Sequence, residues 1–263
     1  MTMLPNLHAV HRLYQYRKAI STKAYNARGK NVVRCQQCLL EQSLCTCASR
    51  KNLKTQSQFL LVMYDDEVLK PSNSGRLIAD LVPNTHAYIW SRVQGNREML
   101  ALINNPTYQA YVIFPSEYAM DGQAIVTRLP NELSCQTDKM TQSAHKPPLF
   151  IMLDGSWREA IKMFRKSPYL HHLPLLSFSA EHTAQYALRK GSHDFQLGTC
   201  EVAALALAAN GEQNNAKALM AWFALFVESS LYGRSQKSEA SLVPLSNRRA
   251  DFEQAYQAAI KSI

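Results

Sequence analysis

Four of the six cysteines lie within thirteen residues, as Cys35, Cys38, Cys45 and Cys47. A Zn²⁺ ion binds four thiolates at the corners of a tetrahedron, and two close cysteine pairs on tight turns supply that arrangement. The alternatives are a disulfide pair, which a cytoplasmic setting disfavours, and an iron–sulfur cluster, whose motifs usually place more than one residue between neighbouring cysteines. We predict a structural zinc site, in which four protein ligands leave no open position for catalysis.

A second pattern places one carboxylate between an apolar run and the start of a helix. The apolar run Leu149–Leu153 is followed directly by Asp154 and Gly155. Ser156 and Glu159 have the spacing of a capping box, so we expect a helix to begin after this turn. Ligands of open α/β sheets bind beyond the carboxyl ends of the strands, which makes Asp154 a candidate catalytic residue. The alternative is that Asp154 only hydrogen-bonds its own turn, as aspartate often does before glycine.

The helix predicted after Asp154 has an apolar stripe and a basic face, and Pro168 should end it. If the partner is an RNA, three residues of this face would contact its phosphates: Arg158, Lys162 and Arg165. The chain carries 29 lysines and arginines against 20 acidic residues, and this net charge of +9 favours a polyanionic partner. Many basic proteins bind no nucleic acid, so the charge alone leaves the partner open. A second basic group precedes the first cysteine: Arg12, Arg17, Lys18, Lys23, Arg28, Lys30 and Arg34.

Two further polar segments follow apolar runs in the same way. One is Lys70–Leu77, which contains Asn73, Ser74 and Arg76, and the other is Phe114–Glu117. Small hydroxyl and amide side chains beside Gly and Pro can wrap a polar ligand, although ordinary turns look similar. The nine glycines never occur as G-x-G, and the Walker A, H-E-x-x-H and G-x-S-x-G patterns are absent. A cofactor would therefore be held without a glycine fingerprint.

The elements that position these residues alternate short apolar runs with helical patterns. The predicted strands are Phe59–Met63, Tyr88–Trp90, Tyr111–Phe114, Leu149–Leu153 and Leu175–Phe178. Continuous apolar runs suit strands covered on both faces, so we predict an α/β domain with a mainly parallel sheet. Helices are predicted over Thr199–Asn210, with Thr199 as N-cap and Gly211 past the end, and over Asn214–Tyr232.

The chain divides by composition into three predicted segments. They are a basic helix with the zinc-binding cysteines over 1–55, a catalytic domain over 56–235 and a C-terminal tail or helix over 236–263. No apolar run approaches the roughly 20 residues that a membrane helix needs. Met1–Ile20 also lacks the apolar core of a signal peptide. We therefore expect a soluble, cytoplasmic protein.

The segment from Asp154 to Trp157 resembles the D-x-[TS]-W signature of the DTW-domain family. Four other features of that family occur in its order. They are the cysteine cluster, a K-P-[TS]-N-[TS]-G-R-L motif at Lys70–Leu77, an F-P-S-E motif at Phe114–Glu117 and a Y-x-L-R-K motif at Tyr186–Lys190. The resemblance spans about residues 34–230. It departs from the family at Tyr64, where a histidine is common, at Ser156 in place of threonine, and after Lys190.

This resemblance implies a fold and a reaction. The family consists of tRNA-uridine aminocarboxypropyltransferases related to the SPOUT class, whose C-terminal trefoil knot binds S-adenosylmethionine without a glycine fingerprint. N3 of a tRNA uridine would attack the γ-carbon of the methionyl chain and release methylthioadenosine. The implied cofactor-binding residues are Phe114, Pro115, Ser116, Glu117, Asp154, Gly155, Ser156, Trp157, Asn73, Ser74, Arg76 and Arg189.

Within this reading Asp154 would act as general base, because uridine N3 carries a proton at neutral pH. Arg76 or Arg189 would pair with the methionyl carboxylate. Two alternatives stay open at this point, namely an RNA methyltransferase of the same fold and a non-catalytic, zinc-bearing RNA-binding module. The motifs name neither the modified uridine nor the set of tRNAs.

Overall fold

In the part of the chain that the structure describes, one sheet of six strands lies at the centre. The computed structural model describes residues 7–23, 25, 31–130, 146–179, 197–234 and 242–261. The strands are β1 (Gln58–Met63), β2 (Thr85–Ile89), β3 (Gln109–Ile113), β4 (Ile125–Val126), β5 (Pro148–Asp154) and β6 (Leu175–Leu176). Their order is β2-β1-β5-β3-β6-β4, and every neighbouring pair is parallel. The predicted α/β class with a mainly parallel sheet is confirmed.

Helices cover both faces of the sheet. In the described ranges they are α1 (Ala9–Ala19), α2 (Gly75–Leu81), α3 (Arg97–Ile103), α4 (Trp157–Arg165), α5 (Thr199–Ala209), α6 (Gln213–Tyr232) and α7 (Leu245–Lys261). Alternate residues of β1 enter two hydrophobic clusters: Phe59, Leu61 and Met63 pack with α1, α2, α5, α6 and α7, whereas Leu60 and Val62 pack with α3 and α4. All five side chains are fully buried, which explains why this strand reads as a continuous apolar run.

Both ends of the described chain pack into the same core as the sheet. Val10 of α1, Cys38 of the cysteine segment and Phe252 of α7 belong to the cluster that contains Phe59. The rings of Phe252 and Trp222 on α6 lie 4.9 Å apart. Described residues of the segments predicted over 1–55, 56–235 and 236–263 thus share one hydrophobic core.

Some element boundaries differ from the sequence-based predictions. α5 begins at Thr199 with Gly198 as its N-cap, because the Thr199 hydroxyl donates to Asp154 instead of capping the helix. Gly211 follows α5 with a φ of +82°, as predicted for a helix end. The second strand begins at Thr85, upstream of the predicted start. β4 is only two residues long, so the sequence contains no alternating hydrophobic pattern from which this strand could be predicted.

A buried polar network fastens α1 to the domain. His8 Nε2 lies 3.0 Å from Asp80 Oδ1, and the rings of His8 and His11 stack at 3.5 Å. Arg50 Nη1 lies 3.4 Å from the same oxygen, while Trp222 Nε1 donates to Asp80 Oδ2 at 3.2 Å. Burial alone would raise the pKa of Asp80, but His8 and Arg50 hold it below its usual value. Burial lowers the pKa of His11 to about 3, so that ring is neutral at physiological pH.

Two sequence-based expectations concern other parts of the chain. The trefoil knot would involve the stretch that leads into α5, and residues 180–196 lie outside the described residues, so the knot stays a prediction. The motif at Tyr186–Lys190, with Arg189, falls in the same range. Among the helices that the structure describes, none is long and apolar enough to cross a membrane.

Candidate functional site

A cavity of about 1280 Å³ opens at the carboxyl ends of β1, β3, β5 and β6. Its walls come from the segments that follow these strands and from the facing ends of α5 and α6. The described lining includes Glu67, Lys70, Ser74, Phe114, Glu117, Asp154, Trp157, Phe178, Gly198, Thr199, Phe226 and Arg234. The three motif segments predicted to bind a ligand therefore meet in one place, as expected for an open parallel sheet.

Asp154 is the last residue of β5 and is only 2% exposed. Its Oδ1 accepts a hydrogen bond from Thr199 Oγ1 at 2.5 Å, and its Oδ2 accepts one from Asn73 Nδ2 at 2.7 Å. Burial, followed by the negative charge of Glu67, raises the pKa of Asp154 to about 6. Such a carboxylate is ionised at neutral pH and still takes up a proton readily, as a general base must.

The backbone around Asp154 is shaped to hold this carboxylate. A Cβ atom on Gly75, at the start of α2, would lie 2.5 Å from Asp154 Oδ2, so only glycine allows this approach. The following helix is capped separately, because Glu159 Oε2 accepts from Ser156 N at 2.8 Å in the predicted capping box. The side-chain partners of Asp154 lie on other elements. The alternative that Asp154 only bonds its own turn is therefore wrong.

Three aromatic rings form one wall of the cavity. Trp157 stacks on Phe114 with centroids 5.5 Å apart and planes inclined by 18°, and Tyr118 meets Trp157 edge-on at 5.5 Å. Phe114 stacks in turn on the buried Phe164 at 4.9 Å. Trp157 is 37% exposed, so part of its indole ring is open to a planar ligand. This wall can hold a nucleobase by stacking.

Most residues predicted to bind the cofactor lie on the cavity wall. They are Ser74, Phe114, Pro115, Glu117, Asp154, Gly155, Ser156 and Trp157. The backbone N–H of Ser116 donates to Ser177 Oγ at 3.0 Å, which ties the loop after β3 to the end of β6. Asn73 is 1% exposed and reaches the site through its hydrogen bond to Asp154.

Arg76 occupies a different place from the one expected of a ligand for the methionyl carboxylate. It is 1% exposed, and its guanidinium donates to two backbone carbonyls, those of Cys38 at 3.1 Å and Val68 at 3.2 Å. Its carbon Cζ lies 6.0 Å from the centroid of the Tyr14 ring. Arg76 therefore joins α2 to the cysteine segment inside the protein.

Sequence reasoning missed Arg234 and Ser230, which line the cavity from the end of α6. The only signal near them is the apolar stripe of α6, which predicts core packing and says nothing about a ligand. Lys70 also lines the cavity, where its Nζ donates to Glu67 Oε2 at 2.7 Å. Its place in the K-P-S-N-S-G-R-L motif could have indicated this role.

The four clustered cysteines converge as predicted. Sulfurs of Cys35 and Cys47 lie 3.7 Å apart, as do those of Cys38 and Cys45, and all four lie within 4.8 Å of one another. Tetrahedral Zn–S bonds of about 2.3 Å correspond to sulfur separations of about 3.8 Å, so the set can hold a metal ion such as zinc. All four are free thiols, which excludes the disulfide alternative in this structure.

Turns and arginines hold the cysteine segment in place. Leu39 has a φ of 60°, in the left-handed region, and directs the chain back so that Cys35 N donates to Leu40 O at 2.8 Å. Arg249 of α7 donates to Ser49 Oγ at 2.9 Å and to the carbonyl of Cys45 at 3.4 Å. The cysteine segment is thus bound to elements from both halves of the chain.

The predicted basic face of α4 is exposed. Arg158, Lys162 and Arg165 all lie on the solvent side of the helix. Lys162 Nζ donates to Tyr64 OH at 3.0 Å and lies 5.7 Å from the centroid of the Trp90 ring. Tyr64, which stands where the resembled family commonly has histidine, therefore contacts the basic face of α4.

The basic group before the first cysteine is partly engaged with protein groups. Arg17 makes two hydrogen bonds of 2.8 Å to Asp65, and Arg12 donates to the carbonyl of Leu7 at 2.6 Å. Arg28 and Lys30 lie outside the described residues. Asp65 therefore offsets the positive charge of Arg17 on the surface predicted for this segment.

A known protein family matches most of this chain. The model of the DTW domain matches residues 32–231, a range that includes the four cysteines and the segments after β1, β3, β5 and β6. The chain belongs to the DTW-domain family. The resemblance predicted from five ordered motifs is thereby confirmed, and membership of the DTW family indicates a tRNA-modifying function. No solved structure matches this DTW protein.

Proposed function

We propose that this DTW protein transfers the 3-amino-3-carboxypropyl group of S-adenosylmethionine to N3 of a uridine in tRNA. The observation that carries the proposal is the buried Asp154 carboxylate at the edge of a large cavity, with its pKa raised to about 6. Uridine N3 must lose a proton before it can act as a nucleophile, and a positioned carboxylate can take it. Family membership supports tRNA as the substrate and group transfer as the reaction.

The reaction forms one bond and breaks one. N3 of the uridine attacks the γ-carbon of the methionyl chain while its proton passes to Asp154. The bond between the γ-carbon and the sulfonium breaks, and its electron pair stays on sulfur, which leaves as neutral methylthioadenosine. The sulfonium activates all three of its carbon substituents, so the site selects one by holding it in line with N3 at about 3–3.5 Å.

The cavity wall supplies groups for the adenosyl and methionyl parts of the cofactor. The exposed face of Trp157, supported by Phe114, suits an adenine or uracil ring. Ser74 and Ser156 offer hydroxyls, and Glu117 offers a carboxylate that can pair with the methionyl ammonium. These residues belong to the larger binding set that the family resemblance implies.

The methionyl carboxylate needs a cation, and the burial of Arg76 removes the first candidate. Lys70 is already paired with Glu67 at 2.7 Å. We therefore assign this role to Arg234, which lines the cavity from the end of α6, or to Arg189.

We further propose that the cysteine set binds zinc as a structural ion. Its four ligands would fill every tetrahedral position, so the ion would stabilise the segment without touching a substrate. The ion supplies no step of the transfer reaction.

The identity of the spent cofactor tests the proposed reaction. Purified protein incubated with unmodified tRNA and S-adenosylmethionine should release methylthioadenosine, and nucleoside mass spectrometry should detect an aminocarboxypropyl uridine. Release of S-adenosylhomocysteine would show a methyltransferase and overturn the proposal. Binding of tRNA with neither product would show a non-catalytic RNA-binding module.

The exposed basic face of α4 predicts a steep salt dependence of tRNA binding, because each phosphate contact releases counterions. Replacing Arg158, Lys162 and Arg165 by alanine should flatten the log–log salt slope by about two to three units. The control is the triple alanine variant of Lys54, Lys217 and Lys261, which removes the same charge from other exposed positions. An equal effect of both triple variants would show that only net charge matters, and no effect of either would remove this face from the interface.

A further inference from the structure

One side-chain amide joins two carboxylates at the site. Asn73 Nδ2 donates to Asp154 Oδ2 at 2.7 Å and to Glu67 Oε1 at 3.2 Å. These two oxygens are therefore no more than about 6 Å apart, a range in which like charges strongly influence each other's protonation. Asn73, Asp154 and Glu67 are 1%, 2% and 9% exposed, so solvent screens their interaction little. Glu67 is thus a second carboxylate, and the transfer step described above does not use it.

A third hydrogen bond fixes the orientation of the Asn73 amide. Its Oδ1 accepts from the backbone N–H of Arg76 at 2.9 Å, which leaves both amide hydrogens for the two carboxylates. The opposite orientation would place the amide oxygen against two acceptors. Because an amide does not pass on a proton, Asn73 holds the two acids close without transferring a proton between them. Glu67 and Asp154 therefore interact through their charges.

Several elements place charged or polar groups around the two carboxylates. The groups around Asp154 are Glu67, Lys70 and Asn73 between β1 and α2, Arg76 on α2, Glu159 on α4, Thr199 and Glu201 on α5, and Glu117 and Arg234 on the cavity wall. Lys70 lies closest to Glu67, at 2.7 Å, and also 3.6 Å from Asp66. Burial alone would lower the pKa of Lys70, but Glu67 and Asp66 raise it to about 12, so this side chain stays cationic.

We propose that Glu67 is a positioning residue of the transferase, which holds Asp154 through the shared amide of Asn73 and sets how readily Asp154 takes up a proton. Lys70 limits this effect by neutralising part of the charge of Glu67. The inference rests on the proposed role of Asp154 as the base. A nearby anion makes Asp154 a stronger base, whereas an unopposed anion would raise the protonated fraction of Asp154 at neutral pH.

The test is an NMR titration of Asp154 in protein labelled with ¹³C at the aspartate carboxyl groups, with neither cofactor nor RNA present. The signal that is missing from the Asp154→Asn variant identifies the residue. Glu67→Gln keeps an oxygen for Asn73 but removes the charge, and should lower the proton affinity of Asp154 roughly tenfold. Lys70→Met should raise this affinity by a similar factor. The acid limb of the pH–rate profile should move in the same two directions.

A merely structural role of Glu67 would not shift the proton affinity of Asp154 in opposite directions in Glu67→Gln and Lys70→Met. Equal titration of all variants, or shifts of the same sign in Glu67→Gln and Lys70→Met, would overturn the proposal. Glu67→Asp should restore the wild-type titration in large part, and Glu98→Gln, at an exposed carboxylate, should leave it unchanged. If Glu67→Gln does not fold, the sign of the Lys70→Met shift decides. The titration requires no turnover, so expected shifts without methylthioadenosine would overturn the proposed reaction and leave only the charge coupling between Glu67 and Asp154.

Discussion

Asp154→Asn should lower the rate of transfer by about 10²–10⁴-fold while S-adenosylmethionine still binds. The amide preserves the shape of the side chain but cannot take the proton from uridine N3. In the wild-type protein the rate should fall as the pH drops through about 6, because the base becomes protonated. Single-turnover kinetics and equilibrium cofactor binding measure the two quantities separately. Asp121→Asn, at an exposed carboxylate, serves as the control.

The same variant should be no less stable than the wild type above neutral pH. The pKa of Asp154 rises from an ordinary 3.8 to about 6 on folding, chiefly through burial, so the stability that this group contributes at low pH is lost as the pH rises through 6. The loss is roughly 3 kcal/mol, and a neutral amide avoids it. Urea unfolding at pH 5 and pH 8 checks the sign. Near-normal turnover, or a large loss of stability at pH 8, would mark Asp154 as a structural residue.

The double variant Cys35→Ser with Cys38→Ser should lose its zinc and melt roughly 10 °C or more below the wild type. Two of four ligands are removed, and metal-binding energy in such sites is folding energy. Cys38 is also 3% exposed within the main core, so the damage extends beyond the metal segment. For a chain of this size about 10 °C corresponds to several kcal/mol.

Metal analysis and thermal unfolding under reducing conditions are the measurements for this variant. Cys135→Ser should retain both the metal and the melting temperature, since Cys135 lies outside the cluster in sequence. A wild-type protein with a zinc content near zero would contradict the assignment. So would a double variant that keeps its metal.

The central sheet and the position of Asp154 can be predicted from the sequence because their signals are local. Phe59–Met63 is one unbroken apolar run, and its burial on both faces leaves no polar residue to interrupt it. Asp154 comes directly after an apolar run of the same kind, and the capping box at Ser156 indicates that the acid is not needed to cap the helix. Cysteine spacing predicts the convergence of four sulfurs for the same reason.

The roles of Arg76 and Glu67 could not be predicted from the sequence, because they depend on side-chain contacts that no local pattern shows. Arg76 belongs to a motif rich in ligand-binding residue types, yet its partners are carbonyls of Cys38 and Val68. Glu67 becomes a neighbour of Asp154 only through Asn73. The pairing of His8 with Asp80 is equally hidden, because nothing in the spacing of these residues brings them together. Sequence patterns indicate the buried faces of helices and strands and the positions of turns. The side-chain partners named above depend on how distant elements pack together.

The packing of Val10 and Phe252 in one cluster has a consequence for synthesis of the chain. β1 pairs with β5, which lies far along the chain. Each contact between these strands closes a long loop, and the entropy cost of closing it comes before the contact stabilises the fold. The core is completed only when Phe252 reaches Trp222, so a nascent chain still attached to the ribosome carries exposed apolar surface until residue 252 has emerged. A fragment that ends with the matched range at residue 231 would lack that partner. The length that must be synthesised for folding is therefore greater than the length that carries the motifs.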